Sequence, residues 1–219
     1  MRLFVTLLVG TLALGGVAQA QTVIPAGSTT DAGYVEVVAQ SAFGNVTSQS
    51  YGVEVGVTLR PNLQVFVEGG QTRNIAPAQL GIDAQTMAGA LSQTQANVGF
   101  SVKEPAAFAV GGVKYIMPIV GSKARPYVLG GFGMAKVKRD VAFTVGGSDV
   151  TSTLSQYGIV LGPDLSGDFT KPMFVAGGGA SVPVWQRLVV DLQFRVGRIF
   201  AEEGGINLAR AGIGVGVRF

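Results

Sequence analysis

From residue 209 to the last residue, every second side chain is apolar. Ala209, Ala211, Ile213, Val215, Val217 and Phe219 alternate with Arg210, Gly212, Gly214, Gly216 and Arg218. Successive side chains on a strand point to opposite faces, so this spacing describes a strand with one wholly apolar face and one face of glycine and arginine. The pattern recurs in "LVVDLQFRVGR", where Leu188, Val190, Leu192, Phe194 and Val196 oppose Asp191, Gln193, Arg195 and Gly197. It recurs again in "YGVEVGVTL", where Tyr51, Val53, Val55, Val57 and Leu59 oppose Gly52, Glu54, Gly56 and Thr58. A helical period of 3.6 cannot produce three such runs.

Five further segments carry the alternation less regularly: 33–43, 63–73, 106–118, 125–139 and 172–183. Eight strands result, each about the 9 to 11 residues that a tilted membrane strand needs. The connections alternate in length. "RPN", "VGSKA" and "VWQR" are short, residues 74–105 and 140–171 are long, and 44–48 and 200–206 are intermediate. With both ends of the chain on one side, every short turn falls on that side, as in outer-membrane barrels with short periplasmic turns and long external loops. Within the first long connection Leu80, Ala84, Met87 and Leu91 recur at helical spacing and predict a helix over 78–95. "VAFTVGGSDVTSTL" reads as a hairpin that carries the fifth strand beyond the membrane.

Composition decides which face is outside. Charged residues are 13% of the chain, against about 25% in soluble domains, and 33 of 219 residues are glycine. Mean hydropathy is +0.41, yet beyond residue 20 no run of about 18 apolar residues could form a membrane helix. The non-apolar face of each strand is mostly glycine with single charges, a set suited to the narrow interior of a closed eight-stranded barrel. The bulky apolar face then meets lipid, and closure pairs every backbone group. Arg2, the apolar run from Leu3 to Val17 and the small-residue phrase Ala18-Gln19-Ala20 read as a cleaved secretory signal over 1–20. A lead-in over 21–32 and a barrel over 33–219 follow.

The inward charges by this face assignment are Glu36, Glu54, Glu68 and Asp191 against Lys114, Lys136, Arg195 and Arg210. Nearly balanced in sign, they read as a mutually neutralising network, with a polar conduit as the functional alternative. Tyr115, Tyr127, Trp185 and Phe219 fall at the short-turn ends of their strands, and Phe43, Tyr51, Phe108, Phe174 and Phe200 toward the long-loop ends. These are expected to form two interfacial girdles.

The absence of cysteine and histidine removes disulfides, Ser-His and Cys-His nucleophile pairs and the histidine-containing zinc constellations. "GGFGMAK" and "VGSK" do not have phosphate-loop spacing. Asp149, Asp164 and Asp168 fit no twelve-residue calcium loop. No catalytic residue, metal site or cofactor is expected. A formal charge of +3 with scattered basic residues implies no nucleic-acid partner.

With "AQA" closing the signal, "VVDLQFRVGRIF" as the penultimate strand and "INLARAGIGVGVRF" at the end, the chain resembles the small outer-membrane β-barrel proteins of Gram-negative bacteria, the OmpA- and OmpX-like group. The resemblance implies an all-β, eight-stranded antiparallel up-and-down transmembrane barrel in the cell outer membrane. It also implies a terminal strand read by the barrel assembly machinery, a role that Ile213, Val215, Val217 and Phe219 would inherit. Unlike for full-length OmpA, no peptidoglycan-binding domain is expected after the barrel, and no periplasmic tether is implied. Three functions stay open: a structural or surface-interaction protein that offers residues 74–105 and 140–171 to an external partner, a small pore or transport barrel for ions or apolar molecules, and a soluble exported barrel that binds an apolar ligand.

Overall fold

The computed structural model describes residues 31–119, 121–160, 162, 165–201 and 205–219. The expected signal over 1–20, most of the lead-in and Asp164 lie outside the described residues. Among the described residues ten strands form one antiparallel sheet: β1 (Gly33–Phe43), β2 (Thr47–Arg60), β3 (Leu63–Thr72), β4 (Val98–Lys103), β5 (Ala106–Ile116), β6 (Arg125–Val145), β7 (Ser148–Asp149), β8 (Ser166–Trp185), β9 (Leu188–Ile199) and β10 (Ile206–Arg218). A helix, α1 (Ala78–Ser92), and a 3-10 helix (Thr151–Tyr157) stand in the two long connections.

Eight of these strands close a ring in which β1, β2, β3, β5, β6, β8, β9 and β10 each pair with the next. The first and last strands meet, with Val35 opposite Val217, Val37 opposite Val215 and Ala39 opposite Ile213. Gly33 and Phe219 exchange both of their backbone hydrogen bonds at 3.0 Å. The seam therefore stays paired up to the terminal residue. No edge of the ring is left to be satisfied by water, the condition hydrocarbon imposes on a spanning sheet.

Two of the short turns are tight: only Pro61 and Asn62 separate β2 from β3, and only Gln186 and Arg187 separate β8 from β9. Asn62 takes a positive φ of 69° there, which Asn tolerates better than most residues. The connection from β5 to β6 is longer than the expected "VGSKA", because β5 ends at Ile116. On the other side β6 and β8 run well past the other strands, to 21 and 20 residues. The strand β4 is an addition to the expected set. It pairs with the extension of β6, as Val98 opposite Val145 through Lys103 opposite Asp140, and continues the line of β5 after a break at Glu104 and Pro105. The β6–β7 hairpin turns through Gly146 and Gly147, both at positive φ, the backbone that a two-residue hairpin needs.

Three layers of packing result. On the loop side, Leu80, Ala84, Ala88 and Leu91 of α1 bury against Val141, Phe143, Val150, Leu154 and Leu165 to form a cap with its own apolar core. Beneath it, the loop end of the barrel interior is filled by a second cluster that includes Ala42, Ile75, Ala106, Val137, Met173, Ile199 and Leu208. Nearer the short turns the interior becomes polar. Outside, the wall is apolar and open: Val37 is 62% exposed, Val67 59%, Phe132 59% and Leu192 58%.

Candidate functional site

Four carboxylates and three cations are buried inside the ring: Glu36, Glu54, Glu68 and Asp191, with Lys114, Arg195 and Arg210. Period two brings them there, since Glu36 of β1, Glu54 of β2, Glu68 of β3, Lys114 of β5, Asp191 and Arg195 of β9 and Arg210 of β10 all stand on the inward faces of their strands. Glycines on the same faces leave the room these side chains occupy. A Cβ at Gly214 would overlap the Glu36 carboxylate, and one at Gly56 the Tyr34 ring.

Arg195 is the centre. One terminal nitrogen donates to Glu54 Oε2 at 2.6 Å and the other stands 2.6 Å from Glu68 Oε2. Glu68 in turn receives both terminal nitrogens of Arg210, at 2.9 and 3.2 Å, in the two-point geometry that guanidinium and carboxylate share. Lys114 donates to Glu54 Oε1. The same oxygen accepts the Tyr34 hydroxyl at 2.5 Å. The Lys114 ammonium sits 4.4 Å from the Tyr34 ring centre and 4.5 Å from that of Tyr127, and the Arg210 guanidinium lies 4.4 Å from the centre of Phe108. Ring faces carry partial negative charge and so help to solvate cations that have no water.

Toward the short turns the network becomes less ionic. Tyr127 donates to Asp191 at 2.7 Å, and Gln193 donates to Glu36 at 2.7 Å while accepting from Gln40 at 3.1 Å. Glu36, Tyr127 and Asp191 border a cavity of about 20 Å³, the space open to the centre of a water-sized sphere, whose lining also includes Lys114 and Arg218. That volume holds a single water and no larger ligand. Asp31, of the lead-in, bridges Arg125 at 3.1 Å and Arg218 at 3.5 Å, and Arg218 donates to Ser181 at 2.6 Å. The interior is thus cross-linked by charge pairs that join β2 to β5, β2 and β3 to β9, and β3 to β10. Among the described residues, no group of histidine, cysteine, aspartate or glutamate could hold a metal ion.

Three expected positions need correction. Lys136 is not inside: it stands on the outward face of β6 and pairs at 2.6 Å with Asp168, also exposed, beyond the membrane-spanning part of the wall. The Lys136 ammonium holds the Asp168 carboxyl below the ordinary aspartate range. Tyr127 is not at the interface: it is 2% exposed and points into the interior. Phe108 also turns inward, under Arg210. The glycine pair Gly130-Gly131 and Gly133 interrupt the facing signal of β6, so its alternation reads one residue off. The remaining aromatics, Tyr51, Tyr115, Trp185, Phe219, Phe43, Phe174 and Phe200, are exposed, as are Ile213, Val215 and Val217. Tyr34 joins the site unassigned by the sequence reading, although period two from Glu36 on the same strand places it on the inward face.

The long connections are tied to the barrel by one further buried acid. Glu104 pairs with Arg139 at 3.2 Å. Its backbone N–H donates to Asn74 Oδ1 at 2.9 Å and its carbonyl accepts from Ile75 N–H at 2.9 Å, which lashes both ends of the 73–105 connection together. Burial pushes the Glu104 carboxyl above the ordinary glutamate value, against the opposing pull of Arg139.

No protein-family model and no curated protein matches the sequence. Solved structures do match. Neisserial surface protein A superposes with a TM-score of 0.53 at 14% identity, over 85% of this chain and 96% of that one. A major outer membrane protein from Thermus thermophilus superposes with a TM-score of 0.52 at 12% identity, over 86% of this chain and 100% of that one. At such identities the likeness is one of fold, and the fold is that of the small eight-stranded outer-membrane β-barrels.

Proposed function

We propose that the chain is an integral outer-membrane barrel with a sealed interior, whose role is structural or is carried out by the folded cap that it presents outside the cell. The filled interior carries this reading: the Glu54–Arg195–Glu68–Arg210 chain of charge pairs lies below an apolar layer at the loop end. Ions would have to break buried pairs to pass, and an apolar ligand would find no space. The open wall of valine, leucine and phenylalanine supports the membrane location, because soluble monomers rarely expose an apolar patch beyond a few hundred Å².

On this reading the chain is not an enzyme. Of its buried carboxylates, Glu54 and Glu68 are paired with Lys114, Arg195 and Arg210, Glu36 and Asp191 accept from Gln193 and Tyr127, and the sequence has no histidine to serve as a base near neutral pH. Exposed Tyr51, Tyr115, Trp185 and Phe219 act as interfacial anchors, and the terminal strand with Ile213, Val215, Val217 and Phe219 serves as the label for the assembly machinery. The cap built from 74–105 and 140–171 is the surface for an external partner. Planar-bilayer recording of the purified barrel tests the sealed interior. No stepwise conductance is expected, and reproducible ion-selective steps would replace this reading with that of a pore.

A further inference from the structure

The outward wall is not uniformly bulky. Near the loop end, Phe43 of β1, Ala209 of β10 and Val196 of β9 lie side by side in register. One step nearer the loops, Asn207, Arg198 and Phe174 form the next row. The small side chain of Ala209 sets the floor between Phe43 and Val196, and an open groove of about 430 Å³ results. That is within the range of small-molecule sites, about 300 to 1,000 Å³. The groove is apolar except at its upper rim. There Arg198 donates to Asn207 Oδ1 at 3.3 Å, a bond that engages one of its five N–H groups. Arg198 makes no ion pair with an acid among the described residues.

We propose that this groove is a specific site for a phosphate-bearing anionic lipid of the external leaflet. One acyl chain lies on Ala209 between Phe43 and Val196, and the phosphate sits against the Arg198 guanidinium, which Asn207 orients. Charge complementarity selects the occupant. An apolar trough open to hydrocarbon accepts any chain, but a guanidinium at its mouth is matched only by a headgroup with net negative charge. Small outward side chains also occur elsewhere, as at Ala107 and Ala109 of β5, but there the neighbouring cation, Lys136, is already paired with Asp168. The proposal rests on the membrane location of the barrel.

The test uses the detergent-folded protein, offered equimolar phosphatidylglycerol and phosphatidylcholine with identical acyl chains, and native mass spectrometry of the lipid retained after detergent release. The wild type is expected to retain phosphatidylglycerol about fivefold over phosphatidylcholine, the ratio that one basic residue near a lipid surface supplies. Arg198→Gln should abolish the preference and Arg198→Lys should keep part of it, while Ala209→Leu should lower retention of both lipids by filling the trough. Equal retention of the two lipids by the wild type overturns the proposal, as does a preference that survives both Arg198→Gln and Ala209→Leu. Membrane location is read separately, from outer-membrane fractionation and the mobility shift of unboiled protein on a denaturing gel. A barrel that passes both but shows no lipid preference refutes only the lipid site, whereas a soluble chain refutes the membrane reading itself.

Discussion

Arg195 reaches across the barrel to Glu54 at 2.6 Å, joining β9 to β2, two strands that share no ladder hydrogen bond. Removing the cation leaves Glu54 and Glu68 facing each other with less compensation inside a volume without bulk water. Arg195→Ala should therefore destabilise the barrel by about 3 to 5 kcal/mol, the usual cost of breaking a buried pair from one side. Urea unfolding in lipid vesicles, followed by the fluorescence of the single tryptophan, Trp185, measures it. A change below about 1 kcal/mol would mean that the charges are not mutually dependent.

Tyr34→Phe removes only the hydroxyl that donates to Glu54 and keeps the ring beside Lys114. Hydrogen bonds to charged groups contribute about 1.5 to 3 kcal/mol, so a loss in that range is expected from the same unfolding experiment. Gly56→Ala should cost a similar amount for the opposite reason, since its methyl group would collide with the Tyr34 ring. In the Tyr34→Ala background the Gly56→Ala penalty should vanish, and a penalty that persists would locate the crowding elsewhere.

The cap should be separable from the barrel. Leu91 is almost fully buried among the cap residues and makes no part of the barrel interior. Leu91→Ala should cost about 2 to 5 kcal/mol of local stability. The expected readout is rapid proteolysis within residues 73–105, with the heat-dependent mobility shift of the barrel unchanged. Loss of the shift would show that cap and barrel fold as one unit.

The strap at Glu104 should respond to pH. Its carboxyl titrates above the ordinary glutamate value in the folded strap, so the folded form binds a proton that the opened form releases. Stability of the strap is then greatest in acid and declines as pH rises from the ordinary value of 4.5 through the elevated folded value. Hydrogen exchange at the amides of Ile75 and Glu104, corrected for intrinsic rates, should show protection falling with pH in the wild type. In Glu104→Gln the trend should flatten, and a trend of equal size there would assign it to another group.

Deleting Phe219 removes the residue that exchanges two backbone bonds with Gly33. Refolding into detergent should survive the deletion, because the remaining seam pairs are intact, while the amount of folded protein in the outer membrane of cells should fall. Equal loss in both settings would make Phe219 a structural clamp and not a label.

Where one face of a strand is apolar and the other is glycine or charge, as in β2, β9 and β10, the sequence states the direction of each side chain outright. In β5 the rule weakens, because the loop end of the interior is itself apolar and Phe108 is as much at home inside as outside. In β6 it fails at the run from Gly130 to Gly133, where only Phe132 carries any facing signal, and Tyr127 and Lys136 on either side are assigned to the wrong face. The α1 helix is legible from its own period. The strand β4 is not, because "VGFSVK" acquires its meaning only from the extension of β6 that it pairs with. Individual charge pairs are beyond reach, since Arg195 and Glu54 become neighbours only through the tilt and closure of the ring.

Closure at the β1–β10 seam also fixes an order of events in time. Val35 cannot meet Val217 until the whole chain has been made, and contacts so distant in sequence are slow to form. Throughout that interval β1 has an exposed row of unpaired donors and acceptors, ready to pair with any other strand. The same hydrogen bonds that make the finished ring self-contained therefore make the unfinished chain indiscriminate. Its safe maturation requires the first strand to be kept from other partners until the last one arrives.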